Sequence, residues 1–469
     1  MPARRARDTP RRHTRTGILL FAFAFAVMAD PVSSVAYALE AALRALDGRL
    51  TLLVPTMAVV LGIIYVIRIN YDQLISRFPG GGGAVAAVGA AYGEAWAFFP
   101  LGALIVDYVL TIAISVAAAT SAVIAYLPGL GEHRTVLSLG LLVTVAGLTW
   151  FGHIGRTMFA AMTVAFVAAA VPVLVQGFLA PVSTGAAAID VTGPGSFAPF
   201  AVILAFPVAM ALATGIEAPA DAIAQLGQLD DRGKERFGHV TMLLTVLITA
   251  ILTLGLAGLA LRLRVGVPKE GSTMIADVAK AASGDGVWFA LFQLTSSLLL
   301  LAAASSSFQA GPGLLKALAR RSRSNGDEIG ILPAALGRTN RHHTPYWSVI
   351  AYLVISGLVV MAAGGREQDL VLFYAVTVFV SFLAGLLAMM RFSRREGNRR
   401  FLWINAVGTA VVAFTLLVNL RRGYPIASLA AGLAISGVFF WLWDRLGRPR
   451  GIAMAEVEAE RRQVEGEGS

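Results

Sequence analysis

Three carboxylic acids lie inside long apolar stretches of the sequence, where a charged side chain is costly to bury. Asp30 belongs to the segment ADPVSS, Asp107 to LIVDYVLTIAISVAAAT and Glu217 to ATGIEAPA. Lys and Arg are nearly absent from the interiors of these stretches. Ionisable residues at such depth point to ion, proton or substrate pathways. The three acids therefore predict a site for a cation that binds and leaves.

The second of these acids begins a row of oxygen-bearing side chains. Asp107, Thr111 and Ser115 are four residues apart, so a helix places them on one face, with Tyr108 beside the row. Carboxylate and hydroxyl oxygens can replace the water around a cation. One alternative stays open, in which both hydroxyls bond only to carbonyls of their own helix. Glu217 is the candidate proton carrier, with the alternative that it caps the amides of a broken helix.

The apolar stretches are long enough to cross a membrane as helices. Of the 469 residues 57% are hydrophobic and only 14% are charged, which excludes an ordinary soluble enzyme. We expect an all-α integral membrane protein with about 12 transmembrane helices. The predicted spans are 17–45, 51–69, 95–127, 136–152, 157–180, 197–226, 239–261, 286–318, 346–363, 368–391, 401–420 and 424–443.

The distribution of basic residues predicts how these spans are oriented. With the N-terminus inside, most of the 38 Lys and Arg residues fall in cytoplasmic segments. We therefore expect a multi-pass protein of the cell inner (plasma) membrane with both termini in the cytoplasm. A basic N-terminus (1–16) would precede the transporter domain (17–443), and a short tail (444–469) would follow it. The net charge of +10 then reflects a cytoplasmic surface, and the expected partner is the lipid bilayer and not a nucleic acid.

Two of the predicted spans contain helix-breaking residues at corresponding positions. The first span has Pro31 directly after Asp30, and the sixth has Gly215 between Pro207 and Pro219. Interrupted helices in matching places of two halves are typical of inverted-repeat transporters with a site at the midplane. The breaks predict a LeuT-like arrangement of five plus five inverted helices, followed by two more.

Other kinds of chemistry find little support in the sequence. The four glycines from Gly80 to Gly83 are followed by no Lys-Ser/Thr pair, so they do not form a phosphate-binding loop. Cysteine is absent, and no zinc, Rossmann or Ser-His-Asp pattern is recognisable. We therefore expect no enzyme activity, no cofactor and no structural metal. Potassium and protons would be cargo.

Six segments together resemble the amino acid–polyamine–organocation (APC) superfamily, and most of all its KUP-like branch of potassium importers, which includes the KimA type. The segments are DPVSSVAYALE, FPGGGGAVAAVGAAYG, DYVLTIAISVAAATSAV, ATGIEAPADAI, LLLAAASSSFQAGPGLL and LFYAVTVFVSFLAGLLAMMR. The resemblance covers nearly all of residues 17–443. It implies alternating access and proton-coupled uptake of potassium.

The resemblance also implies a set of site residues. Glu217 matches the proton-carrying glutamate of the potassium branch. The implied cation-binding residues are Asp30, Tyr37, Asp107, Tyr108, Thr111, Ser115, Thr214 and Tyr374.

Two departures from the potassium branch bear on function. Only residues 444–469 follow the last span, whereas KimA-type proteins carry a sizeable C-terminal domain, so regulation and dimerisation through that domain are not implied. A homodimer stays open. Ala218 and Pro219 follow Glu217 where the importers read differently. A proton-coupled amino acid or amine permease of the same fold is the main alternative. Asp30 disfavours an amino acid, because it would repel a substrate carboxylate.

Overall fold

The computed structural model describes residues 20–151, 155–187, 198–226, 229–322, 328–421, 423 and 425–454. Over these residues the chain is helical, apart from loops and one antiparallel pair of two-residue strands, β1 (Arg321–Ser322) and β2 (Glu328–Ile329). The predicted basic N-terminus lies outside the described residues, as does most of the predicted tail.

The helices follow the order of the predicted apolar runs. Those up to the sixth run are α1 (20–27), α2 (Ala29–Ser33), α3 (Val35–Ala45), α4 (Leu53–Arg77), α5 (Gly83–Tyr92), α6 (Glu94–Tyr126), α7 (Arg134–Trp150), α8 (Gly155–Leu179), α9 (Ala198–Ala209) and α10 (Ala218–Asp221). Those of the remaining runs are α11 (Asp231–Leu263), α12 (Met274–Ser283), α13 (Val287–Leu318), α14 (Tyr346–Ala362), α15 (Glu367–Arg395), α16 (Arg399–Arg421) and α17 (Ile426–Arg445).

Within the described ranges, nine helices are long and apolar enough to cross a membrane. Helices α7 and α14 have 17 residues each, and the first predicted span is divided among α1, α2 and α3. An all-helical membrane architecture is therefore confirmed. The count of 12 transmembrane helices stays a prediction.

Two helices extend beyond their predicted spans because polar residues stabilise the additional turns. Helix α4 continues to Arg77, and an ion pair between Arg68 and Asp72, 2.9 Å long and one turn apart, lies on this extension. Helix α11 begins before the predicted run, where Asp230 accepts a hydrogen bond of 3.0 Å from the amide of Gly233. Hydropathy alone placed both boundaries too far into the apolar run.

The two predicted breaks differ in how far the helix is unwound. In the first span, Met28 and Ser34 interrupt the helix but keep helical backbone angles. Pro31 lies in the first turn of α2, where a missing N–H costs little. The sixth span is unwound: the 3-10 turn Met210–Ala213 follows α9, and Gly215 has a φ of +74° before α10 begins. The marked break is therefore in the sixth span.

Helix α6 lies in the middle of the fold and carries the predicted row of oxygens. It packs against α13, α15 and α17, as well as against α5 and α7. Most of its residues from Ala97 onwards are buried, which holds Asp107 away from the surface of the protein. The placement of α6 fixes one wall of the candidate site.

Candidate functional site

The breaks of the first and sixth spans are in direct contact. Ser34 Oγ donates a hydrogen bond of 3.0 Å to the backbone carbonyl of Leu212. A Cβ atom built on Gly215 would lie 2.6 Å from Cγ of Asp30, so the Asp30 carboxylate occupies the space beside the unwound backbone. Glycine is required at position 215 both for its positive φ and for this close approach.

The three predicted acids surround a buried tyrosine. Tyr37 of α3 is almost fully buried and lies within electrostatic range of Asp30, Asp107 and Glu217. Its phenol shares a hydrogen bond with Thr214, whose own hydroxyl donates to the carbonyl of Ala211 at 2.7 Å. The structure thus brings together Asp30, Tyr37 and Asp107 from three helices, α2, α3 and α6, and Thr214 and Glu217 from the unwound segment before α10.

The remaining predicted site residues differ in how deeply they are buried. Thr111 and Ser115 are buried one and two turns after Asp107 along α6, as their spacing predicts, while Tyr108 is only half-buried. Tyr374 belongs to α15, but its side chain lies outside the described part of the structure. The predicted row on α6 therefore exists as a buried face.

The three acids lie around the site, but their carboxylates do not meet at one point. Over the described residues, no group of three or more His, Asp or Glu could hold a metal ion. Asp30 Oδ1 and Glu217 Oε2 are buried, and neither oxygen accepts a hydrogen bond from the described residues. Buried carboxylate oxygens are costly unless they are protonated or bind a cation. Protonation of these acids, or a cation bound at their free oxygens, would remove that cost.

We expect Gly215→Ala to weaken both the fold and the site. The left-handed backbone costs an alanine about 1–2 kcal/mol, and the new methyl group would displace Asp30. The thermal unfolding temperature of the purified protein should fall relative to the wild type. Gly271→Ala is the matched control, because Gly271 has a φ of +88° but no neighbour within 4 Å of an added Cβ. Equal unfolding temperatures for the two variants would contradict the close contact at Asp30.

Two buried acids at the edges of the predicted spans were not among the predicted site residues. Glu40 of α3 accepts a hydrogen bond of 2.9 Å from Arg44 and one of 3.1 Å from the amide of Met274, the first residue of α12. Glu367 opens α15 and is buried. Glu40 interacts electrostatically with Glu367. The i,i+4 spacing of Glu40 and Arg44 was the one available signal.

Glu367 is the centre of a hydrogen-bonded group that joins three helices. Ser121 Oγ of α6 donates to Glu367 Oε2 at 2.6 Å and accepts from Arg134 Nη1 of α7 at 2.5 Å. Arg134 and Glu367 lie 3.6 Å apart as an ion pair. We name Ser121, Arg134 and Glu367 the Glu367 cluster. It ties α15 to α6 and α7 at one end of the bundle.

Replacement of Glu367 by Gln should destabilise the protein. The charge of Arg134 would lose its partner, at a cost of about 1–3 kcal/mol, so the thermal unfolding temperature should fall. Asp369→Asn, at an exposed position two residues along the same helix, is the control and should leave that temperature unchanged. If both variants unfold like the wild type, the Glu367 cluster contributes nothing to stability.

Comparison with known proteins agrees with this architecture. The potassium transporter KimA of Bacillus subtilis (strain 168) is 27% identical over 410 residues, which are 83% of this chain and 64% of KimA. The chain therefore covers less than two thirds of that relative's length. The family model described as "Amino acid permease" matches residues 18–442, which include every described residue of the candidate site. The chain belongs to the amino acid permease family of the APC superfamily.

Proposed function

We propose that this protein is a secondary active transporter that takes up a cation, with potassium as the substrate, together with protons. The observation that carries the proposal is the pair of buried carboxylate oxygens, Asp30 Oδ1 and Glu217 Oε2, that accept no hydrogen bond from the described residues. The described ion pairs include neither of these two acids. A cation and a proton are the natural partners of such groups.

The proposed architecture goes beyond the helices that the structure describes. Twelve transmembrane helices would form five plus five inverted helices and two more, with both termini in the cytoplasm of a cell inner membrane. The unwound sixth span and the interrupted first span would be the matching elements of the two halves. The domain organisation would be the basic segment 1–16, the transporter domain 17–443 and the tail 444–469. A homodimer stays open.

The proposed mechanism is alternating access by a rocking bundle. A cation binds among Asp30, Asp107, Thr214 and Tyr374, and Glu217 takes up a proton. The first and sixth spans then turn together, because the hydrogen bond from Ser34 to Leu212 and the contact of Asp30 with Gly215 couple their breaks. Thr111 and Ser115 would supply further oxygens on the wall formed by α6. Cation and proton leave on the cytoplasmic side.

An amino acid or amine permease is the second candidate, and the description of the family model favours it. Permeases of this fold bind the substrate carboxylate at free amides of a broken helix, where the helix dipole favours negative charge. Here Asp30 lies at the paired breaks and would repel such a group. A cationic amine without a carboxylate would meet no such repulsion. The potassium relative favours the first candidate.

Growth rescue separates the two candidates. The full chain is expressed in a bacterium that lacks its potassium uptake systems, and growth at low potassium is compared with that of an empty vector. Uptake of radiolabelled amino acids and amines is measured in the same cells. We expect the chain to restore growth at low potassium, and we expect no accumulation of labelled amino acids or amines. Accumulation of an amino acid or amine without rescue would overturn the potassium assignment and support the permease.

A further inference from the structure

The glycine run that precedes α5 forms a turn that only glycine adopts readily. Gly81, Gly82 and Gly83 have φ values of +90°, +87° and +42°, in the left-handed region that other residues rarely occupy. Helix α5 begins at Gly83, so its first turn presents free backbone amides. The proposed function does not by itself explain this turn.

The side chain of Asp221 occupies the space beside the turn. Asp221 Oδ1 overlaps the position that a Cβ atom at Gly83 would take, and Asp221 Cγ would lie 3.1 Å from that atom. No larger residue fits at position 83 while the carboxylate stays there. A carboxylate is favoured beside the N-terminus of a helix such as α5, because the helix dipole places positive charge there.

Asp221 is one helical turn from the proposed proton carrier. The amide of Asp221 donates a hydrogen bond of 3.1 Å to the carbonyl of Glu217, which directly precedes the short helix α10, so one helical turn joins the two residues. Both carboxylates lie within electrostatic range of Tyr71, a fully buried residue of α4. Asp107 and Asp30 are the other acids that act electrostatically on Glu217.

Helix α5, whose first residue Gly83 contacts Asp221, belongs to the surroundings of the site. Helix α5 packs against α6, which carries Asp107, and against α15. The piece α10 follows the unwound segment and packs against α4 and α11. Neither α4 nor α11 carries Asp107, so a further attachment to α5 ties α10 more directly to the wall formed by α6. The contact of Asp221 with Gly83 is such an attachment.

We propose that Asp221 is a positioning residue: its contact with the glycine turn fixes α10 against α5 and thereby holds Glu217 at a defined place relative to Asp107. This inference rests on the proposed function, in which Glu217 carries the proton. Asp221 itself contacts no cargo. Its effect on transport passes through Glu217.

The test compares Asp221→Ala, Asp221→Asn and Gly83→Ala in the full chain, reconstituted in liposomes. Two variants are the controls: Asp231→Asn, which removes an exposed acid ten residues after Asp221, and Gly93→Ala. Gly93 lies directly after the same helix with a φ of +103° and no neighbour within 4 Å of an added Cβ, so its substitution strains the backbone without touching Asp221. Two readouts are taken: rubidium uptake against pH, and carbodiimide labelling of Glu217 against pH by mass spectrometry.

Asp221→Ala and Gly83→Ala should each lower the maximal uptake rate by about threefold to thirtyfold, with little change in the half-saturating concentration. Both should shift the pH dependence of Glu217 labelling in the same direction. Asp221→Asn keeps a polar oxygen at the helix end and should be intermediate. The double variant Asp221→Ala/Gly83→Ala should be no worse than Asp221→Ala alone, because both substitutions remove one contact.

Unchanged labelling profiles in all three variants would overturn the inference, even if uptake falls. A wild type that takes up no rubidium, with labelling still shifted by Asp221→Ala and Gly83→Ala, would refute the proposed function and leave the positioning role intact. Should Asp221→Ala fail to fold, Asp221→Asn and Gly83→Ala give the same decision.

Discussion

Replacement of Asp107 by Asn is expected to weaken cation binding strongly, and cation uptake with it, while the protein still inserts and folds. Asp107 is buried in the centre of α6 and lies within electrostatic range of Tyr37, Glu217 and Tyr71. Asn has the same shape but no charge, so a bound cation would lose its attraction to this wall of the site. A charge-assisted contact contributes about 1.5–3 kcal/mol, which corresponds to roughly a tenfold to hundredfold loss of affinity.

The measurement is rubidium uptake into proteoliposomes over a range of cation concentrations. Asp231→Asn removes an exposed carboxylate from the start of α11 and serves as the control, with uptake like that of the wild type. Elution of the Asp107→Asn protein as a single species in detergent shows that it folds. Undiminished uptake by the folded Asp107→Asn protein would remove Asp107 from the cation site.

Glu217→Gln is expected to uncouple cation uptake from the proton gradient. Glu217 lies directly before α10, next to the unwound segment, with one buried oxygen that accepts no hydrogen bond from the described residues. Gln is similar in shape but cannot bind or release a proton at ordinary pH. Uptake should therefore lose its stimulation by an inward proton gradient, and residual cation movement should follow only its own electrochemical gradient.

This prediction is measured with liposomes in which the proton gradient and the membrane potential are set independently. Wild-type uptake should rise as the outside becomes more acidic, and Glu217→Gln uptake should be flat over the same pH range. The sign follows from the direction of coupling, because protons enter with the cation. Retained stimulation by the gradient in the variant would reject Glu217 as the proton carrier.

Much of the fold was predictable because hydropathy is averaged over many consecutive residues, so that one atypical residue changes the average little. Every predicted apolar run contains helix over the described residues, although the sixth is unwound between α9 and α10. The ends were less predictable. The pair Arg68–Asp72 and the cap at Asp230 extend α4 and α11 with polar residues, which a hydropathy pattern assigns to loops. Helices α5 and α12 lie in segments between the predicted spans.

The predicted acids of the site were recognisable because a carboxylate within an apolar run stands out. Asp30, Asp107 and Glu217 are buried as expected, and Tyr37 connects them. Glu367 was missed because it lies at the start of a span, where a charge looks ordinary until its contacts with α6 and α7 are known.

The contact between Asp221 and Gly83 was not predictable for a different reason. The two residues are far apart in the chain, and each alone has an ordinary interpretation, as an acid near the end of a predicted span and as a flexible glycine. Only the approach of α10 to the first turn of α5 shows why the glycine is needed. Contacts of this kind depend on tertiary packing, which leaves no periodic signal in the sequence.

Cation flux through the purified chain tests the central claim most directly. The full-length protein is reconstituted in liposomes that contain little potassium, and rubidium accumulation is followed after the outside is made acidic. We expect accumulation that grows with the proton gradient. Potassium should inhibit it by competition, and amino acids and amines should leave it unchanged. Absence of gradient-driven rubidium accumulation, together with accumulation of a labelled amino acid or amine in the same liposomes, would contradict it.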